Sequence, residues 1–224
     1  MAKNLENEGL RSIVDNYDLF YIDLWGVVHN GIILHKKAIK TLKEITKAKK
    51  RYVLLTNAPR PNKTVKIFLE KMKMDKEIRE KVYTSGEAAL NYLKKNHLNE
   101  IFYHIGPTRD FDLFVNFKKS KTKNIDDSAY LLCTGLFHDH DENLDYYKEL
   151  LKKHINKKMI CTNPDLIVDR GKKRELCAGS VALVFEKIGG EVIYFGKPFP
   201  EVYNQSIDNV GKKILSIGDN LNTD

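Results

Sequence analysis

Cysteine is scarce in this chain. Cys133, Cys161 and Cys177 are too few and too scattered among 224 residues to form a disulfide framework, and their spacing fits no zinc-ligand pattern. No apolar stretch approaches the roughly 20 residues that a membrane span needs. The opening Met-Ala-Lys-Asn-Leu-Glu-Asn-Glu has no signal-peptide apolar core. There are no internal repeats and no long low-complexity segments. No aromatic-basic motif of a known nucleic-acid-binding module occurs. These absences argue against disulfide-stapled, membrane-spanning and nucleic-acid-binding classes. The expectation they leave is a soluble globular protein of a reducing cytoplasm, with no membrane or nucleic-acid partner.

What is abundant is lysine. The net charge is +8, with 42% hydrophobic and 30% charged residues. The lysines fall in groups on the exposed faces of expected helices (Lys43, Lys47, Lys49 and Lys50; Lys94 and Lys95; Lys152 and Lys153), where they mainly keep a protein soluble.

Apolar runs alternate with helical periodicity, the pattern of an α/β protein with a mostly parallel sheet. Strands are expected at Leu19 to Ile22, Tyr52 to Leu55 and Lys81 to Tyr83. A helix is expected from Ala38 to Lys47, with Ile39, Leu42 and Ile45 on one stripe, and another after Pro61 carrying Val65, Phe68, Leu69 and Met72. Thr84-Ser85-Gly86-Glu87 resembles a capping box opening a helix through Leu93. The middle reads as a separate unit with strands at Ile101 to Ile105, Tyr130 to Thr134 and Lys158 to Cys161. Lys118 to Asp127 is expected to be a surface loop. A helix is expected from Glu175 to Ile188, closed by Gly189-Gly190, with the first unit resuming at Glu191. The expected domains are therefore 1–98 with 189–224, and 99–188. An open sheet of this kind normally continues with another helix, so the first unit is expected to be incomplete beyond Asp224.

Four apolar runs end in residues with phosphoryl-transfer chemistry. Leu19-Phe20-Tyr21-Ile22 ends in Asp23, Tyr52-Val53-Leu54-Leu55 in Thr56-Asn57, Val192-Ile193-Tyr194-Phe195 in Gly196-Lys197-Pro198, and Ile214-Leu215-Ser216-Ile217 in Gly218-Asp219. Open α/β sheets place ligands at the C-terminal tips of their strands. An aspartate can attack phosphorus. Two carboxylates beside a phosphate require a neutralising cation, and Mg²⁺ prefers oxygen ligands such as Asp23 and Asp219, with Asp224 as a further ligand or supporting group. Thr56 and nearby backbone N–H groups suit phosphate oxygens. Lys197 suits charge balance on the nucleophile and the transferring group.

In these motifs the chain resembles the haloacid dehalogenase-like hydrolases of subfamily IIA, the NagD-like branch that includes 4-nitrophenyl phosphatases and pyridoxal phosphate phosphatases. The resemblance rests on Phe20-Tyr21-Ile22-Asp23-Leu24-Trp25-Gly26-Val27-Val28-His29-Asn30-Gly31, Leu54-Leu55-Thr56-Asn57-Ala58-Pro59-Arg60, Tyr83-Thr84-Ser85-Gly86-Glu87-Ala88, Cys161-Thr162-Asn163-Pro164-Asp165, Gly189-Gly190-Glu191-Val192 with Gly196-Lys197-Pro198, and Ser216-Ile217-Gly218-Asp219-Asn220-Leu221-Asn222-Thr223-Asp224. It covers the chain from about Phe20 onward. It implies a Rossmann-like core with an inserted α/β cap of the C2 type. It also implies Asp23 as nucleophile, Thr56 and Asn57 as phosphate ligands, Lys197 as the motif lysine, and Asp219 with the Trp25 backbone carbonyl at Mg²⁺. The implied substrate is a small phosphorylated metabolite, and a homodimer through the cap is allowed for.

Position 25 departs from the family pattern. Most phosphatases of the family carry there an aspartate that protonates the leaving oxygen and later activates water; an indole does neither. Asn222 likewise replaces a frequent acid in the last motif. His29 is the nearby titratable alternative, though it is expected to hydrogen-bond within its loop. A second reading is therefore a catalytically weak member that binds a phosphorylated ligand or a partner protein, and a third is another chemistry of the family that needs no acid at position 25. Outside these motifs, His138-Asp139-His140-Asp141 can be read as a metal cluster or, more simply, as a polar loop with Asp141 capping the next helix.

Overall fold

The computed structural model describes residues 8–170 and 173–224. Its two parallel sheets follow from strands that are apolar on both faces. The first half of the chain supplies β1 (Leu19–Asp23), α1 (Lys36–Lys47), β2 (Arg51–Thr56), α2 (Asn62–Lys71), the single turn α3 (Lys76–Arg79), β3 (Val82–Thr84) and α4 (Ser85–Asn96). The second unit supplies β4 (Phe102–Ile105), a 3-10 stretch over Thr108–Ser120, the two-residue β5 (Lys121–Thr122), β6 (Tyr130–Cys133), α5 (Leu144–Leu151) and β7 (Lys158–Cys161). It continues with β8 (Ile167–Arg170), β9 (Lys173–Leu176), α6 (Ala178–Lys187) and β10 (Glu191–Tyr194). The chain then returns through α7 (Pro200–Ser206) to β11 (Ile214–Ile217).

The core sheet has the order β11-β1-β2-β3, and the cap sheet the order β10-β7-β6-β4-β5. Alternation along β1 and β2 explains the layering. Phe20, Ile22, Tyr52 and Leu54 face Leu42 and Ile45 of α1 and Val65 and Leu69 of α2. Leu19, Tyr21, Val53 and Leu55 face the opposite way, toward Ala88, Ala89 and Leu93 of α4. That second cluster runs on without a break into Phe102, Tyr130 and Ile160 of the cap sheet, so the two units share one apolar core through α4. Among the described residues no helix is long and apolar enough to cross a membrane.

Several local signals act as expected. The Thr84 hydroxyl accepts the Glu87 N–H at 2.9 Å and caps α4. The Glu87 carboxylate does not return to Thr84; it accepts the Asn62 N–H at 2.9 Å, while Asn62 Oδ1 accepts the Thr84 N–H. Half of the capping box is thus traded between two helices, tying the start of α2 to the start of α4. Gly189, at φ 98°, closes α6: its N–H reaches the Glu186 carbonyl and that of Gly190 reaches the Phe185 carbonyl.

Other expectations are corrected. Val192 to Tyr194 does not return to the core. β10 pairs in parallel with β7, Val192 against Met159, so the cap sheet extends through Tyr194 rather than ending at 188. Glu175 and Leu176 belong to β9, paired antiparallel with β8, and α6 begins only at Ala178. The polar stretch from Lys118 to Asp127 is not simply a loop: it holds β5, paired with β4, and a 3-10 turn at Ile125–Asp127. The cap of α5 is Asn143, whose side chain accepts the Tyr146 N–H, not Asp141. The helix α7 carried no apolar periodicity long enough to read.

Candidate active site

β1 ends on Asp23, and its parallel register sets Asp23 beside Leu55, one residue short of Thr56 at the tip of β2. β11 lies on the other side of β1, so the loop after Ile217 delivers Asp219 and Asp224 to the same edge. One ligand oxygen from each of Asp23, Asp219 and Asp224 lies within 4.8 Å of the others, the one such grouping of three found among the described residues. Lys197 arrives from the other sheet, three residues beyond β10. Its ammonium lies 2.5 Å from Asp23 Oδ1 and also bonds Asp224 Oδ1. Lys197 and Asp23 are 4% and 8% exposed, so this ion pair is withdrawn from water, while Asp219 stands at its exposed side.

The electrostatics follow from that count of charges. Burial pushes Asp23 up to about 6, with Lys197 pulling the other way. Burial pushes Lys197 down, but Asp23 and Asp224 outweigh it and the net shift is upward. One ammonium faces two carboxylates at contact and a third nearby, which leaves an excess of negative charge. An all-oxygen carboxylate set with uncompensated charge fits a hard divalent cation such as Mg²⁺. Gly26 shapes the same spot. It sits at φ 84°, and a Cβ there would strike the Asp219 carboxylate, so Asp219 rests against the backbone just after Trp25.

Thr56 is buried and its hydroxyl accepts the Ala58 N–H at 3.3 Å. Asn57, expected among the phosphate ligands, has its side chain committed elsewhere. Its Oδ1 accepts the Lys197 N–H at 2.6 Å, and its Nδ2 donates to the Lys197 carbonyl at 3.0 Å and to Asp165 Oδ1 at 2.8 Å. Asp165 belongs to the turn after β7; in the sequence only its place in the Asn163-Pro164-Asp165 motif points to it. The core grips the cap again through Arg60 of the same loop, 3.2 Å from Asp112 and 3.8 Å from the buried Asp110, and through Thr64 of α2, which donates to Asp112 at 2.6 Å.

Trp25 lies in a loop that folds back on itself, with bridges pairing Trp25 to His29 and His29 to Leu34. The indole stands edge-on to His29 with ring centroids 5.4 Å apart, and a Cβ on Gly31 would strike it. His29 is 2% exposed. Its Nδ1 accepts the Gly31 N–H at 2.9 Å, and burial, with His35 adding to it, pushes it down to about 4. The imidazole is therefore neutral at physiological pH and spends one nitrogen on its own loop.

The remaining sequence candidates stay apart from the site. His140 stacks on Tyr146 at 3.6 Å and Asp141 pairs with Lys173, so the His138–Asp141 segment directs its groups along the cap surface. Cys133, Cys161 and Cys177 are buried thiols outside any disulfide among the described residues, and burial pushes the Cys161 thiol up to about 12.

Comparison with known proteins matches this arrangement. A family model described as haloacid dehalogenase-like hydrolase matches residues 20–117. The crystal structure of a hydrolase of the haloacid dehalogenase-like family from Brucella suis 1330 is 30% identical, with a TM-score of 0.85, over 96% of this chain and 82% of that one. A 4-nitrophenylphosphatase from Thermotoga maritima shares the fold at 22% identity and a TM-score of 0.72, over 95% of this chain and 82% of that one. A glycerol phosphate phosphatase from Mycobacterium tuberculosis, solved in complex with magnesium, shares it at 20% identity and a TM-score of 0.70, over 95% and 65%. No curated protein matches the chain. The chain belongs to the haloacid dehalogenase-like hydrolase family. Within it, the architecture is a Rossmann-like core carrying an inserted α/β cap.

Proposed function

We propose that this hydrolase is a magnesium-dependent phosphatase of the NagD-like branch that acts on a small phosphorylated metabolite through an aspartyl-phosphate on Asp23. One observation carries the reading: a buried carboxylate at the tip of β1 lies 2.5 Å from the Lys197 ammonium and within reach of Asp219 and Asp224. The folds shared with 4-nitrophenylphosphatase and glycerol phosphate phosphatase support it.

In this mechanism Asp23 forms a bond to phosphorus as the ester P–O bond breaks, and the electron pair leaves on the departing oxygen. Lys197 holds Asp23 in its ionised form and offsets charge on the transferring group. Thr56 donates its hydroxyl to a phosphoryl oxygen. Water then attacks phosphorus, releasing inorganic phosphate and restoring the carboxylate. Asp23, Asp219, Asp224 and the Trp25 carbonyl would hold Mg²⁺, which supplies the positive charge that lets a phosphate dianion approach carboxylates. The cap, gripped by Asn57 and Arg60, keeps bulk water from the acyl-phosphate stage.

A second reading, a weak enzyme that mainly binds a phosphorylated ligand, is favoured by one feature: Trp25 packs on Gly31 and His29 where the family usually has an acid. Phosphate release from a panel of small phosphate esters, with Mg²⁺ and with EDTA, beside Asp23→Asn, separates the two. Turnover that needs Mg²⁺ and disappears in Asp23→Asn supports the phosphatase. No turnover on any ester, with Mg²⁺ and phosphate binding intact, supports the binding protein.

A further inference from the structure

Lys197 lies three residues beyond β10 of the cap sheet, yet in the proposed reaction it must present its ammonium to Asp23 on the core. The backbone just before it is permissive: Gly196 has φ 130°, and a Cβ there would strike Pro164 and Asn57. Something other than secondary structure has to hold this peptide. Asn57 does so with both ends of its amide, accepting from the Lys197 N–H at 2.6 Å and donating to the Lys197 carbonyl at 3.0 Å. That leaves one Nδ2 hydrogen, and Asp165 Oδ1 accepts it at 2.8 Å.

We infer that Asp165 is a positioning residue for the reaction: from the cap it anchors the Asn57 amide, and through Asn57 it fixes the Lys197 peptide and so the ammonium on Asp23. The donor and acceptor inventory permits one orientation of the amide. A carboxylate oxygen and a carbonyl oxygen both need N–H donors, and the Lys197 N–H needs an acceptor, so Nδ2 and Oδ1 are assigned without ambiguity. All three contacts are satisfied together.

Asp165 is itself held firmly. Its N–H donates to Asn163 Oδ1 at 3.0 Å, and its carbonyl accepts the Gly179 N–H at 3.1 Å in the first turn of α6. Gly179 is required there, since a Cβ would strike the carbonyls of Pro164 and Asp165. The next residue is pinned twice to the same helix start: the Leu166 carbonyl accepts the Ser180 hydroxyl at 2.6 Å and the Cys177 N–H at 2.9 Å. A rigid turn on the cap thus carries the anchor, a side chain of the core carries the clamp, and the lysine between them belongs to neither sheet. Asp165 does not touch the substrate in this scheme.

This inference rests on the proposed phosphatase reading for its consequence in turnover, but its first test does not use activity. Amide hydrogen exchange at Lys197 in the full chain reads the clamp directly. Asp165→Ala should speed exchange at Lys197 about tenfold, the factor one ordinary hydrogen bond supplies, while protection in β1 and β2 stays as in the wild type. Asp165→Asn keeps an acceptor but removes the charge and should restore exchange to within about twofold. Asn57→Ala should abolish the protection, and adding Asp165→Ala to it should change nothing more. If Asp165→Ala fails to fold, Asp165→Glu, which displaces the acceptor by one methylene, is read in the same way.

Phosphate release is then measured on the same proteins, where kcat should fall in Asp165→Ala with KM changed less and recover in Asp165→Asn. Unchanged exchange at Lys197 in Asp165→Ala would overturn the inference. So would an Asp165→Asn variant as defective as Asp165→Ala, or additive effects of the Asp165 and Asn57 changes. A wild type that releases no phosphate refutes the phosphatase reading alone, because the exchange result stands apart from it.

Discussion

Replacing Trp25 with aspartate should change which esters this enzyme cleaves more than whether it cleaves any. The leaving oxygen needs a proton unless it is a stable anion. Trp25 cannot supply one, and His29, held near 4 by burial, is protonated in about one molecule in a thousand at pH 7. A positioned general acid is worth roughly 10²–10⁴-fold. The wild type should therefore favour 4-nitrophenyl phosphate, whose nitrophenolate leaves unaided, over an alkyl ester such as glycerol phosphate by about that factor beyond the difference in binding. Trp25→Asp should raise kcat/KM on the alkyl ester by up to about 10²-fold and change the aryl ester little. The half-buried indole packs on Gly31 and His29, so its loss should cost about 1–3 kcal/mol of stability, checked by thermal melting. The assay is steady-state phosphate release across esters of graded leaving-group acidity, with saturating Mg²⁺. Equal wild-type rates on alkyl and aryl esters, or an unchanged ratio in folded Trp25→Asp, would refute the reasoning.

Asp23 makes metal-free stability depend on pH. Its folded value of about 6 lies above the ordinary 3.8, so the native state binds the extra proton between those values and stability falls as pH rises through that window. Denaturation in EDTA should show wild type losing about 2–3 kcal/mol relative to Asp23→Asn between pH 4 and 7, and parallel curves for the two would contradict the assignment. Lys197→Met strands Asp23 and Asp224 in a buried cluster without their cation; it should abolish turnover and cost about 3–5 kcal/mol without metal, with Mg²⁺ recovering part of the stability in urea titrations. Gly26→Ala drives a Cβ into the Asp219 carboxylate at a positive φ, so Mg²⁺ affinity measured by calorimetry should fall about tenfold or more; an unchanged affinity would remove Asp219 from the metal site.

Much of this arrangement is legible in the sequence. The parallel strands of both sheets are mostly short apolar runs ended by turn residues, a local pattern that survives in almost any packing, and β1, β2, β3, β6 and β7 lie within a residue or two of their expected limits. Asp23, Thr56, Lys197 and Asp219 stood out because each follows such a run. The limits of reading by pattern show at β10. Val192-Ile193-Tyr194 is an apolar run like any other, and nothing in it says which sheet it joins; pairing with Met159 and Ile160 is decided by the crossover through α6. β8 and β9 were missed because polar, charged residues such as Asp169, Lys173 and Arg174 break the alternation that marks a strand.

The sequence by itself determined the alternating α/β pattern, the strand-end chemistry and the substitution at Trp25, because these depend on residues within a few positions of one another. Tertiary structure alone decided that Lys197, just past the cap sheet, reaches Asp23, and that the Asn57 side chain clamps a peptide 140 residues away. It also decided that Asp165 joins them from 108 residues beyond Asn57 and that His29 is buried and neutral. Hydrogen-bond partners and desolvation across such separations are set by how the layers pack, and no local propensity encodes them.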